Sequence, residues 1–144
     1  MFWNSIPDAE RLHLWKKLRD DLKDESEETV LQEIAKFCAP MPFGARSIDY
    51  YSPDDWPTPW EILYHGDLCT SSISLLMFYT LDLLGYADIA LHLVEDEDGI
   101  YLLPVVENQY VLNYALGQVS MYPSIKENLT VLKIFDKSQI KTIT

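Results

Sequence analysis

Apolar residues return at helical spacing in two early stretches of the chain. Over residues 8–23, Leu12, Trp15, Leu18 and Leu22 recur every three or four positions with charges between them, which predicts an amphipathic helix. Ser5 or Asp8 would cap it, and Pro7 falls in the first turn if Ser5 does so. Asp24-Glu25-Ser26 breaks the pattern. A second helix is expected over 27–38, with Val30, Leu31, Ile34, Ala35, Phe37 and Cys38 on its apolar side. Glu27 and Glu28 stand at its start, where the helix dipole favours negative charge, and Pro40 and Pro42 end it.

The pattern then changes. Residues 40–60 carry Pro40, Pro42, Pro53, Pro57 and Pro59, too many for a long helix or a central strand. The same segment holds Phe43, Tyr50, Tyr51, Trp56 and Trp60, so it reads as an ordered loop packed on the core, followed by a short helical turn at Glu61 to His65. From Cys69 to Leu84 the apolar residues go nearly all round a helix, which marks it as central and buried, with Gly85 at its C-terminal cap. Ser74, Thr80 and Asp82 interrupt this run. Three strand-like runs follow, Ile89 to Glu95, Ile100 to Val106 and Tyr110 to Tyr114, joined by turns short enough for antiparallel hairpins. Leu129 to Phe135 is a fourth. Helices followed by a run of antiparallel strands predict an α+β fold. The 144 residues are expected to form one domain: a helical part over 1–39, the proline-aromatic segment over 40–65, and the buried helix with its strands over 66–144.

Charge narrows the partners. The net charge is −12, and no Lys or Arg occurs between Arg46 and Lys126, a window holding twelve acids. The flanks balance, so the whole excess lies in that window. Such a field repels nucleic acid and anionic membranes and suits a protein partner with a basic surface. An apolar fraction of 48% fits a folded globular protein. No stretch approaches the ~18 apolar residues of a membrane span, and the N-terminus lacks signal-peptide features, so a cytoplasmic location is expected.

Candidate chemistry centres on a thiol. Cys69 opens the buried helix, where unpaired N–H groups and the dipole favour a thiolate. Cys38, in contrast, reads as a small buried apolar residue of the second helix. Two cysteines and three histidines show no paired metal-ligand spacing, and the scattered glycines form no phosphate loop, so no metal and no cofactor are expected. Glu95 to Asp98 lacks the alternation of a calcium loop and reads as a solvated hairpin turn.

A resemblance runs through residues 50–115. Tyr50-Tyr51-Ser52-Pro53-Asp54-Asp55-Trp56, Trp56-Pro57-Thr58-Pro59-Trp60-Glu61-Ile62-Leu63, Gly66-Asp67, Leu83-Leu84-Gly85-Tyr86 and Val111-Leu112-Asn113 stand in the order of one family. In these pieces the chain resembles the bacterial transglutaminase-like cysteine peptidases of the papain-like fold, members of which also occur in phages. The resemblance implies a nucleophile at the start of the buried helix, a histidine at the start of the second strand and an Asp at the end of the third. This chain departs from the pattern. A gap-free match puts Leu68 at the nucleophile position with Cys69 one place late, and the acids that follow the family cysteine are missing. The histidine position falls near Ile100 or Tyr101. Asn113 stands where the Asp is expected, and Asn can also orient a histidine.

Two functional expectations follow. The first is a catalytically degenerate transglutaminase-like domain serving as an interaction or assembly module, virion-associated if the phage resemblance extends that far. The second is a cysteine peptidase or amidase in which Cys69 attacks, His92 moves the proton and Asn113 orients the imidazole. His92 shares its strand face with Asp88, Ala90 and Val94, opposite Ile89, Leu91 and Leu93, so it reaches Cys69 only if the sheet departs from the family's arrangement. His13 sits on the first helix, and His65 lies four residues before Cys69 across a turn.

Overall fold

The computed structural model describes residues 3–41, 48–66 and 68–140. Pro42, Phe43 and Asp67, named above, lie outside the described residues. Five helices appear among the described ones: α1 (Asp8–Leu22), α2 (Glu27–Cys38), α3 (Pro59–His65), α4 (Thr70–Leu83) and α5 (Tyr122–Ile125). Five strands, β1 (Ile89–Asp96), β2 (Gly99–Val106), β3 (Tyr110–Leu112), β4 (Val119–Met121) and β5 (Thr130–Asp136), form one antiparallel sheet in the order β4-β3-β2-β1-β5. The fold is α+β, as the pattern predicts. No helix among the described residues is long and apolar enough to cross a membrane.

Helix α4 lies against β1 and β2, and its Leu75, Leu76, Phe78, Tyr79 and Leu81 are buried. Each leucine-sized side chain removed from water contributes about 1.5–3 kcal/mol, which makes this packing the main driving force of the fold. The three polar interruptions of the helix each fasten a neighbour. Ser74 Oγ donates to Leu102 O in β2 at 2.5 Å. Thr80 Oγ1 donates to Leu76 O at 2.6 Å and accepts from Trp15 Nε1 in α1 at 2.9 Å. Asp82 pairs with Lys137 at 2.8 Å. After Leu84 the helix closes in a Schellman arrangement: Tyr86 N donates to Leu81 O, Gly85 N donates to Asp82 O, and Gly85 takes φ +92°.

The Trp-x-Thr-Pro-x-Glu piece has a physical meaning. Thr58 is the N-cap of α3 and accepts from Glu61 N, Pro59 occupies the first helical position, and the Glu61 carboxylate accepts from Thr58 N, a complete capping box. Trp56, buried just before it, donates from Nε1 to Asp49 O at 2.7 Å and sits edge-on to Phe135 of β5. Over the described residues 48–58 the segment is a loop held by these contacts, with a 3-10 turn at Pro53–Asp55.

Several expectations change. Neither Ser5 nor Asp8 caps α1: Pro7 takes that place without a side-chain bond, and Asp8 turns its carboxylate to Ala9 N. Arg11 joins Trp15 and Leu22 as the buried residues of α1, while Leu12 and Leu18 pack against the core half-buried. The Arg11 guanidinium donates to Leu63 O, Tyr64 O, Ile6 O and, at 3.4 Å, Trp3 O, so it supplies donors that the C-terminal carbonyls of α3 lack. Gly66 ends α3 at φ +69°, and a Cβ there would lie 3.2 Å from Arg11 Nη2. The third strand stops at Leu112 rather than Tyr114, because Asn113 turns left-handed at φ +64°. The short strand β4 has too few residues to show a period.

Candidate functional site

The site region lies at the amino end of α4, where β2 and the end of β3 pass it. Cys69 is the N-cap residue of α4, only 9% exposed. Its sulfur accepts from Ser72 N at 3.4 Å and lies 3.1 Å from Ser72 Oγ. The thiol thus does the work a serine or aspartate does at other helix starts. Leu68, at the position the resemblance assigns to the nucleophile, is fully buried in the main core. Ser71, in the first turn, meets the Tyr50 hydroxyl at 2.9 Å and so ties the aromatic loop to this end of the helix.

Asn113 reaches the same end of the helix. Its Nδ2 donates to Thr70 O at 3.0 Å and to Ser74 Oγ at 2.8 Å. Both amide hydrogens join β3 to α4, so Asn113 holds backbone and helix together; these bonds engage its Nδ2 and not the Oδ1 that would accept from an imidazole N–H.

His92 is elsewhere. Strand β1 alternates as its sequence implies: Leu91 and Leu93 belong to the core under α4, whereas Val94 and the cross-strand partner of His92, Leu103, belong to a second apolar cluster on the other face. Tyr122 and Ile125 of α5 cover that second face, and the His92 ring meets Tyr122 edge-on at 5.3 Å. His92 is 2% exposed, its Nδ1 has no hydrogen-bond partner, and burial pulls its pKa below the ordinary value. The sheet itself therefore stands between His92 and Cys69. Of the three candidates, the fold brings Cys69 and Asn113 to one helix end and leaves His92 on the far face. His13 and His65 are exposed, the latter against Tyr64. Cys38 is buried in α2, and burial pushes its thiol up to about 12.

Ile100 and Tyr101 stand where the resemblance puts its histidine, and Tyr101 packs against the Val94 and Leu103 cluster on the His92 face of the sheet. Tyr101 lines a cleft of about 400 Å³ together with Thr70, Leu103, Asn113, Asp96, Asp98, Tyr114 and Leu116. A second cleft of about 500 Å³ shares Asp96, Asp98 and Tyr114 and extends to Glu97 and Glu127. Tyr114 received no role from the sequence, and Asp96 and Asp98 only those of a solvated turn and of part of the acidic window; the further signal available was the acid run beside two tyrosines, one at each end of the β2–β3 hairpin. Among the described residues, no group of three His, Cys, Asp or Glu side chains is arranged to hold a metal.

A buried helix opening on a cysteine and packed on an antiparallel sheet defines the transglutaminase-like, papain-like fold. Solved structures bear this out. Legionella pneumophila LapG in its calcium-bound form superposes with a TM-score of 0.76 at 15% identity, covering 92% of this chain and 78% of that one. EGTA-treated LapG gives a TM-score of 0.74 at 16% identity, over 90% of this chain and 74% of that one. At such identity the likeness is one of fold. No family model matches the chain, and no curated protein matches it.

Proposed function

We propose that this chain is a transglutaminase-like domain that has given up thiol hydrolysis and serves as an interaction module for a protein partner with a basic surface. The observation that carries this reading is the separation of Cys69 from His92 by the sheet. A cysteine hydrolase needs a base within hydrogen-bond reach of its sulfur. Leu68 at the nucleophile position, and Ile100 and Tyr101 where the resemblance puts its histidine, support the same reading. The acidic stretch supplies the partner's sign of charge.

The experiment compares iodoacetamide labelling of Cys69 in the native chain and in His92→Ala, at pH 6 and pH 8. Slow labelling at pH 6, with rates that agree within about twofold between the two proteins, is the expected result. Fast labelling at pH 6 that collapses in His92→Ala would overturn it. That outcome would favour the second reading, a cysteine peptidase or amidase, whose one supporting observation is the thiol at the amino end of α4.

A further inference from the structure

The cleft beside the amino end of α4 has walls of an unusual kind. Tyr101 and Tyr114 contribute aromatic surface, Asp96 and Asp98 contribute charge, and Asn113 and Thr70 complete the polar lining. The Asp96 carboxylate is fixed by its own turn, since Oδ1 accepts from Asp98 N at 2.8 Å and Gly99 N at 3.1 Å. The Tyr101 hydroxyl stands near that turn, 4.0 Å from where a Cβ on Gly99 would lie. Desolvation together with the field of Asp96, Asp98 and Tyr114 raises its pKa, so it faces the acids as a neutral phenol. Tyr114 and Leu116 are exposed at 39% and 63%, which leaves the mouth open. Among the described residues, ion pairs join Lys16 to Asp20, Lys17 to Asp21, Lys36 to Glu33 and Lys137 to Asp82, and none of them reaches this cleft.

Aromatic faces attract cations through their quadrupoles, and carboxylates beside them add direct attraction. A neutral ligand would lack the charge attraction of the two acids, and an anion would be repelled. A lone metal ion would find no set of three ligating side chains among the described residues. A long side chain with an apolar stem and a cationic head satisfies both parts of the cleft, its stem on the tyrosines and its head at the carboxylates.

We infer that the cleft formed by Tyr101, Tyr114, Asp96 and Asp98 receives a lysine or arginine side chain of the protein partner. The inference rests on the proposed reading of the chain as a binding module, and it gives that module its contact point.

The test is an NMR titration of the full chain, tyrosine rings labelled, with Nα-acetyl-lysine methylamide at constant ionic strength. The norleucine analogue is the uncharged control. Expected are saturable shifts of the Tyr101 and Tyr114 rings with the lysine probe, at millimolar affinity suited to one side chain, and none with norleucine. Asp98→Asn and Tyr114→Leu, both surface changes, should each weaken binding about threefold or more, while Asp55→Asn, which removes the same charge outside the cleft, leaves it unchanged. Equal shifts with norleucine, equal weakening by Asp55→Asn, or no saturable shift would each overturn the inference. None of those results bears on the reactivity of Cys69, so the labelling experiment above judges the wider reading separately.

Discussion

The side-chain amide of Asn113 donates to Ser74 Oγ at 2.8 Å while Ser74 donates to Leu102 O, so one relay ties the end of β3 through α4 to β2. The direction of that relay is fixed. Thr70 O is also an acceptor for Asn113, and Ser74 has spent its proton on Leu102. Asn113→Asp, which restores the carboxylate of the family pattern, would set acceptor against acceptor at both contacts. It should cost about 1–3 kcal/mol, seen as a lower urea midpoint at unchanged slope. A variant as stable as the native chain would mean that these contacts do not contribute to stability in solution.

Cys69 is expected to behave as a capping residue. Its sulfur accepts from Ser72 N at 3.4 Å, a long contact that a hydroxyl oxygen makes better. Cys69→Ser should therefore match or exceed native stability, and Cys69→Val, which cannot accept, should lose about 1 kcal/mol in urea unfolding. If Cys69→Ser instead lost as much as Cys69→Val, apolar contact of the sulfur would matter more than the cap.

The extent to which the sequence reveals this molecule follows the range of each interaction. Helices α1, α2 and α4 are legible because periodicity and caps are local, and so are the β1–β2 and β2–β3 hairpins. The capping box at Thr58-Pro59-Trp60-Glu61 is local too, which is why that motif carries the fold so well. Arg11 is not legible: it stands in the apolar stripe of α1 only because carbonyls of α3, some fifty residues on, wait for its donors. The two faces of β1 can be read from alternation, but which face meets α4 is a tertiary fact. That fact separates His92 from Cys69. Tyr114 and Asp96 join one cleft only after the β2–β3 hairpin folds back beside the first turn.

His92 gives a pH dependence of definite sign. Burial lowers its folded-state pKa, so the unfolded chain binds the proton more readily. The groups packed round it are Leu103, Ile134, Tyr122 and Val94, none a carboxylate that could stabilise an imidazolium. Stability from the neutral ring is fully present above the unfolded value of about 6.5 and is lost as pH falls below it, at up to about 1.4 kcal/mol per unit. His92→Leu should flatten the fall of the melting temperature between pH 7 and pH 5. An unchanged slope in that variant would show that His92 is solvated in the folded state.

Glu27 titrates in the opposite sense. Its carboxyl hydrogen-bonds to that of Glu107, and this bond, with burial and the repulsion of the second charge, raises its pKa to about 7. The pair joins the first turn of α2 to the β2–β3 turn, where Glu107 takes φ +55° and donates its N–H to Asp88 O at 2.9 Å. Tyr86 feels both carboxylates, and Lys23, Glu25 and Asp88 line the adjoining cleft with Glu107. A raised folded-state pKa means the folded chain holds the proton longer. Its contribution is complete below the unfolded value of about 4.5 and is lost as pH rises through about 7, when two carboxylates face each other. In Glu107→Gln a neutral amide replaces one of them and donates to Glu27. The melting temperature of that variant should exceed the native one at pH 8, and the difference should shrink toward pH 4.5. Calorimetry at pH 4.5, 6 and 8 checks this, and a gain that does not vary with pH would mean the two carboxyls share no proton.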